Sequence, residues 1–158
     1  MLRKFGLCAG VSALLLAAAT LAPSAGLSHS HKRKNLEIVH PWTMAMLEKG
    51  TTTARVFMTI KNSGGAPERL ISASTPQAEK VELSAGDGAA KDIKSAAAFT
   101  IGPGKVLVLH AKGQHLVLTG VRKAFHAYDD FKMTLVFEKA GRMVIDVVVE
   151  ESEEGHQH

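Results

Sequence analysis

"KVLVLHAKGQHLVL", residues 105–118, decides how this chain is read. Lys105 to Leu109 is a short run of valine and leucine, Lys112-Gly113 is a turn signal, and His115 to Leu118 resumes the apolar run. The reading is strand, turn, strand, with His110 and His115 flanking the turn. Whether either imidazole is a metal ligand or an ordinary strand residue is the chemical question the stretch raises.

Working outward from it, the same pattern repeats. Val56 to Ile60, Lys80 to Leu83, Met133 to Phe137 and Met143 to Val149 are short and β-branched or alternating, and from Leu36 onward nothing has the length and period of a substantial helix. Turn signals separate the runs: Asn62-Ser63-Gly64-Gly65, Gly86-Asp87-Gly88, Gly102-Pro103-Gly104 and Ala140-Gly141. Several short strands at this spacing predict an all-β domain, a sandwich or barrel, over residues 36–150.

The two ends are different material. Arg3 and Lys4, an apolar run from Phe5 to Leu21 and the small residues from Ala22 to Ser28 have the layout of a secretory signal peptide over residues 1–26, with cleavage after Ser24, Gly26 or Ser28. No second apolar run of membrane length follows. Cys8, the one cysteine, precedes most of the apolar run, which is the wrong place for a lipoprotein anchor, and the mature chain then has no disulfide. Residues 27–35 and 151–158 are polar and aperiodic, so both are expected to be flexible tails. Each carries a histidine pair, His29 with His31 and His156 with His158.

Charge excludes little and implies less. Of 19 Lys and Arg, Arg3 and Lys4 leave with the signal, so 17 stand against 15 acids, a net of +2. Nothing here points to nucleic acid. Catalysis has no visible support either, because there is no Gly-x-Ser-x-Gly elbow, no His-Glu-x-x-His and no phosphate-binding glycine loop. The expectation is a protein that is not an enzyme.

"MTIKNSG", "ERLISASTPQAEKVEL", "IGPGKVLVLHAKGQHLVLTGVRKAF" and "VFEKAG" together resemble the PCu(A)C family of periplasmic copper chaperones, over Pro41 to Val149. The resemblance implies a cupredoxin-like antiparallel β-sandwich with Greek-key connections. It also implies Cu(I) held by His and Met, and copper delivery to the dinuclear centre of cytochrome c oxidase. The family's ligands are a His just after "VEL", a Met about a dozen residues on, and a His-x-Met after a glycine-containing turn. This chain has Ser84, Ile93, His115 and Val117 at those four places. Cu(I) favours imidazole and thioether, so three of the four offer it nothing.

Other donors then come into view. "HPWTMAM" places His40, Met44 and Met46 close together, but methionine stripes are more often core packing than metal sites. The tails are the better candidates. A chain beginning Leu27-Ser28-His29 or His29-Ser30-His31 has a free amine and a histidine at the third position, an arrangement that surrounds Cu(II) in a square plane. The expected metal residues are therefore His115, His29, His31, His156 and His158, with copper as the metal. The expected function is a periplasmic copper-binding protein of the chaperone type. Its partners would be the copper-site subunit of cytochrome c oxidase or another copper chaperone. The alternative is a sandwich that has lost its metal and serves as an accessory, partner-binding module.

Overall fold

The computed structural model describes residues 30–45, 50–86 and 94–151. Ten strands lie among them: β1 Ser30–Arg33, β2 Leu36–Met44, β3 Thr53–Asn62, β4 Glu68–Ser74, β5 Ala78–Ser84, β6 Phe99–Ile101, β7 Val106–Leu109, β8 His115–Val121, β9 Asp130–Phe137 and β10 Gly141–Glu150. The protein is all-β, as the alternating runs predict.

Strand order is β5-β8-β3-β2-β10-β9-β4-β6. The first four strands make one layer and the last four the other. They meet at β2, which pairs antiparallel with β3 along its length and parallel with β10 through Trp42 to Met44. That parallel junction is the one departure from an antiparallel sandwich among these pairs. Strands consecutive in sequence often lie apart in the order, as β4 and β5 do on opposite layers, which gives the Greek-key connectivity.

Period-two alternation explains which faces meet. Ile38 of β2, Val56, Met58 and Ile60 of β3, and Leu116 and Leu118 of β8 point inward against Met133, Leu135, Ile145 and Val147 of the facing layer, all buried. Phe99 and Ile101 close one end. Burial of each such side chain contributes about 1.5–3 kcal/mol, and this apolar filling is the main term that holds the layers together.

Two buried polar side chains are fully used. Asn62 donates through Nδ2 to the carbonyls of Ala66 (2.9 Å) and Ile101 (3.1 Å), and accepts the Gly64 N–H at 2.9 Å, which locks the β3–β4 turn onto β6. Glu68 accepts the backbone N–H groups of Arg69, Lys139 and Ala140 at 2.9, 3.0 and 2.9 Å. Burial works to raise its pKa, but the three N–H donors and the Lys139 charge outweigh it and hold the carboxyl below its usual value.

The amino-terminal segment corrects one expectation. Residues 27–35 read as a flexible tail, yet Ser30–Arg33 forms β1, paired antiparallel with β2 from Ser30↔Val39 to Arg33↔Leu36. The two-residue connection Lys34-Asn35 uses Lys34 at φ 53°. The physical reason is tertiary: Arg33 Nε donates to Ala140 O at 2.9 Å and Lys34 Nζ to Lys139 O at 3.0 Å, so the β9–β10 turn holds polar residues that have no local reason to order. Residues 1–26, where a signal peptide is expected, His29 and residues 152–158 lie outside the described residues.

Candidate metal site and the cavity beside it

His115 opens β8, and alternation sends Leu116 and Leu118 to the core while His115 and Val117 face the other side of the layer. On that face His115 is 1% exposed and Val117 2%. The imidazole is oriented by its own turn. His115 Nδ1 lies 2.8 Å from Gly113 O, and since a carbonyl only accepts, Nδ1 carries the proton and Nε2 keeps the lone pair in the neutral ring. The turn itself is closed by His110 N–H to Gln114 O at 2.8 Å and Gly113 N–H to His110 O at 3.1 Å. The strands on either side of this turn do not pair with each other. β7 pairs with β3 at Met58 to Lys61 and β8 pairs with β3 at Thr53 to Val56, so the two lie end to end along one edge.

The β5–β8 ladder puts Ser84 opposite His115 and Glu82 opposite Val117. Ser84 is 1% exposed, and its Oγ accepts the Gly86 N–H at 3.3 Å. Glu82 is held by Lys80, whose ammonium lies 2.8 Å from Oε1 and keeps the carboxyl below its usual pKa. Ile93 lies outside the described residues. The fold thus brings Ser84, His115 and Val117 together, but a hydroxyl, one imidazole and an isopropyl group do not make a soft-metal site. Among the described residues no group of three His, Asp or Glu is arranged to hold a metal ion.

The tail candidates divide. His29, His156 and His158 lie outside the described residues. His31 sits in β1, where Nε2 accepts the Asp146 N–H at 3.1 Å and lies 3.9 Å from Asp146 Oδ2. Asp146 is also paired with Lys132. His31 therefore serves the free edge of β10.

Sequence reading missed a cavity. A row of rings crosses the outer face: Trp42 packs on Phe57 with centroids 4.8 Å apart, and Phe57 on His115 at 6.3 Å. The outer end of this row opens into a cavity of about 520 Å³ lined by His40, Trp42, Phe57, Val108, His110 and Lys112 among others. A β-bulge between Val39 and Trp42 places His40 at φ 52°, with Nε2 3.0 Å from Glu150 Oε1. The available signal was "HPW": a residue before proline cannot follow the ladder freely, and a bulge re-aims side chains.

Comparisons with known proteins fit this architecture. The family model LpqE-like, described for LpqE-like lipoproteins, matches residues 36–149. No curated protein matches. Among solved structures, the apo PCuAC domain from PmoF1 is 27% identical with a TM-score of 0.70, covering 78% of this chain and 100% of that one. The copper-bound PCuAC domain from PmoF2 is 30% identical with a TM-score of 0.69, over 78% of this chain and 99% of that one. The solution structure of CuI-DR1885 from Deinococcus radiodurans, 20% identical at a TM-score of 0.60 over 85% of this chain and 87% of that one, shares the fold. A match running from the first residue of β2 almost to the end of β10, on a sandwich shared with these domains, means that the chain belongs to the LpqE-like family of PCuAC proteins.

Proposed function

We propose that this is an exported copper-binding protein of the chaperone type, which takes copper on imidazoles and passes it to another copper protein. The observation that carries the reading is His115. It stands where the family's His-x-Met falls, with Nδ1 fixed on Gly113 O and Nε2 left as the nitrogen a metal uses. The PmoF2 domain that this chain resembles is copper-bound.

With Ser84 and Val117 as neighbours, His115 needs donors from elsewhere. We assign these to His29, His31, His156 and His158, of which His31 must give up Asp146 to take copper. The signal at residues 1–26 supports a periplasmic site of action, and the recipient is the copper-site subunit of cytochrome c oxidase or another copper chaperone. Copper here is cargo, exchanged between imidazoles without covalent chemistry.

The test is a competition titration of the mature protein with Cu(I) and Cu(II), beside a His115→Ala variant and a chain lacking residues 28–30 and 155–158. Copper binding weakened by His115→Ala supports delivery from the sandwich, and binding weakened only by the deletions moves the function to the termini. A second reading is favoured by the serine and valine at ligand positions: an accessory module that keeps the fold without the metal. It predicts no competitive copper binding in any version, which would overturn the first.

A further inference from the structure

We propose that the edge of β10 from Arg142 to Val144 is a docking site for an acidic peptide in extended conformation, taken up as an added strand. One edge of β2 carries β3, so β1 and β10 share the other, β1 along Leu36 to Val39 and β10 at Trp42 to Met44. β10 pairs with β9 from Gly141 to Val148, but on its second edge it has a ladder partner only from Val148 to Glu150. No bridge joins β1 to β10 among the described residues. Between them lies a cavity of about 430 Å³, lined by His31, Lys32, Arg33, Arg142 and Val144 among others.

Alternation fixes where the backbone groups of this edge point. The Asp146 N–H faces away from β9, because it donates to His31 Nε2. Residues two apart on a strand present their N–H and C=O to the same edge, so those of Val144 and Arg142 face the cavity too. His31 caps this edge at Asp146 and Arg33 caps it at Ala140 O, while the stretch between them has no strand beside it. Donors and acceptors alternate along that stretch, which suits a peptide backbone better than a bare anion.

The rim sets the charge of the partner. No acidic residue lines the cavity; Lys32 is paired with Glu37 at 3.5 Å, but Arg33 uses only Nε and Arg142 makes no ion pair among the described residues. Val144, 57% exposed, shares the outer face with Arg142. A fitting strand therefore carries an aliphatic residue opposite Val144 and an acid two residues away, opposite Arg142.

The probe is a capped pentapeptide, glutamate-threonine-valine-threonine-glutamate, which sets an acid two residues from valine in either strand direction. Amide hydrogen exchange would be followed in the mature protein with a chelator present. Arg142 and Val144 should exchange fast in the protein alone, and about tenfold more slowly with the peptide at about ten times its dissociation constant. Met143, whose N–H faces β9, should hardly change. Arg142→Glu should weaken the peptide about fivefold. Val144→Pro removes an N–H that β9 does not use, so it should abolish binding while Met143 stays protected. Slow exchange at both amides without peptide overturns the proposal, because the edge then already has a cover. Equal binding of a peptide with lysine for glutamate overturns it as well, since charge then selects nothing. Equal binding of a peptide N-methylated at valine and both threonines does so because no strand is added. Vesicles of phosphatidylglycerol that bind through Arg142 while the peptide is inert would reassign the cavity to a lipid surface. Copper affinity enters none of these readouts, so this reading and the copper reading fail separately.

Discussion

Ser84 and His115 are direct partners across the β5–β8 ladder, both 1% exposed, each tied to backbone within two residues of itself. Side chains of such a pair are in reach of one another, and Val117 lies on the same face two residues on. The geometry of a ligand cluster is present while two of its donors are not. Ser84→His with Val117→Met should therefore bring an imidazole and a thioether beside His115, and tighten Cu(I) by at least about tenfold per donor, or 1.4 kcal/mol each. The larger side chains cost about 1–3 kcal/mol of stability. Competition against a Cu(I) chelator and a melting curve check both halves; unchanged Cu(I) affinity in a folded double variant would show that the register does not form a cluster.

Glu68 binds three backbone N–H groups, and its carboxyl is held below the usual value of 4.5. A depressed folded pKa means that the stabilisation is present above the unfolded value and is lost as pH falls through the folded one. Glu68→Gln should cost about 1–3 kcal/mol at neutral pH, since hydrogen bonds to a charge are the stronger kind. The difference from the parent should shrink below pH 4. Urea unfolding at pH 7 and pH 3 measures it, and a gap that persists undiminished at pH 3 refutes the assignment.

His31 fills a place in the β10 edge that no strand occupies, by accepting the Asp146 N–H. His31→Ala leaves that amide to solvent in the groove between β1 and β10. Hydrogen exchange at Asp146 should quicken, with a loss of about 0.5–1.5 kcal/mol. Exchange at Val147, whose ladder partner is Phe131, should hardly change, which separates loss of the cap from general loosening.

Gly141 turns β9 into β10 at φ 79° with open space where a Cβ would stand. Only backbone strain opposes a side chain there, so Gly141→Ala should cost about 1–2 kcal/mol and Gly141→Asn less. Denaturation midpoints of the two variants decide it; equal midpoints for both and the parent would contradict the strain argument.

Much of the fold was legible because alternation is local. Val56 to Ile60, Met133 to Phe137 and Met143 to Val149 each carry their own period, and each is a strand or part of one. β4 was harder to see: a register shift between Leu70 and Ser72 leaves Ile71 and Ser72 both exposed and breaks the period. β6 is three residues long and draws its partner from β4, about thirty residues earlier. β1 is polar throughout, and the groups that hold it, Ala140 O and Asp146 N–H, lie more than a hundred residues away.

The site divides along the same line. Sequence alone determined the all-β class, the family resemblance and the donor chemistry at residues 84, 115 and 117, because residue type and spacing of two along a strand are one-dimensional facts. Only the tertiary structure decided that Ser84 sits opposite His115, that the strands on either side of the His110–His115 turn do not pair with each other, and that a bulge at His40 opens a cavity against Trp42. Register and sheet order are set by which distant apolar faces are buried together, and no window of sequence contains both sides of such a contact.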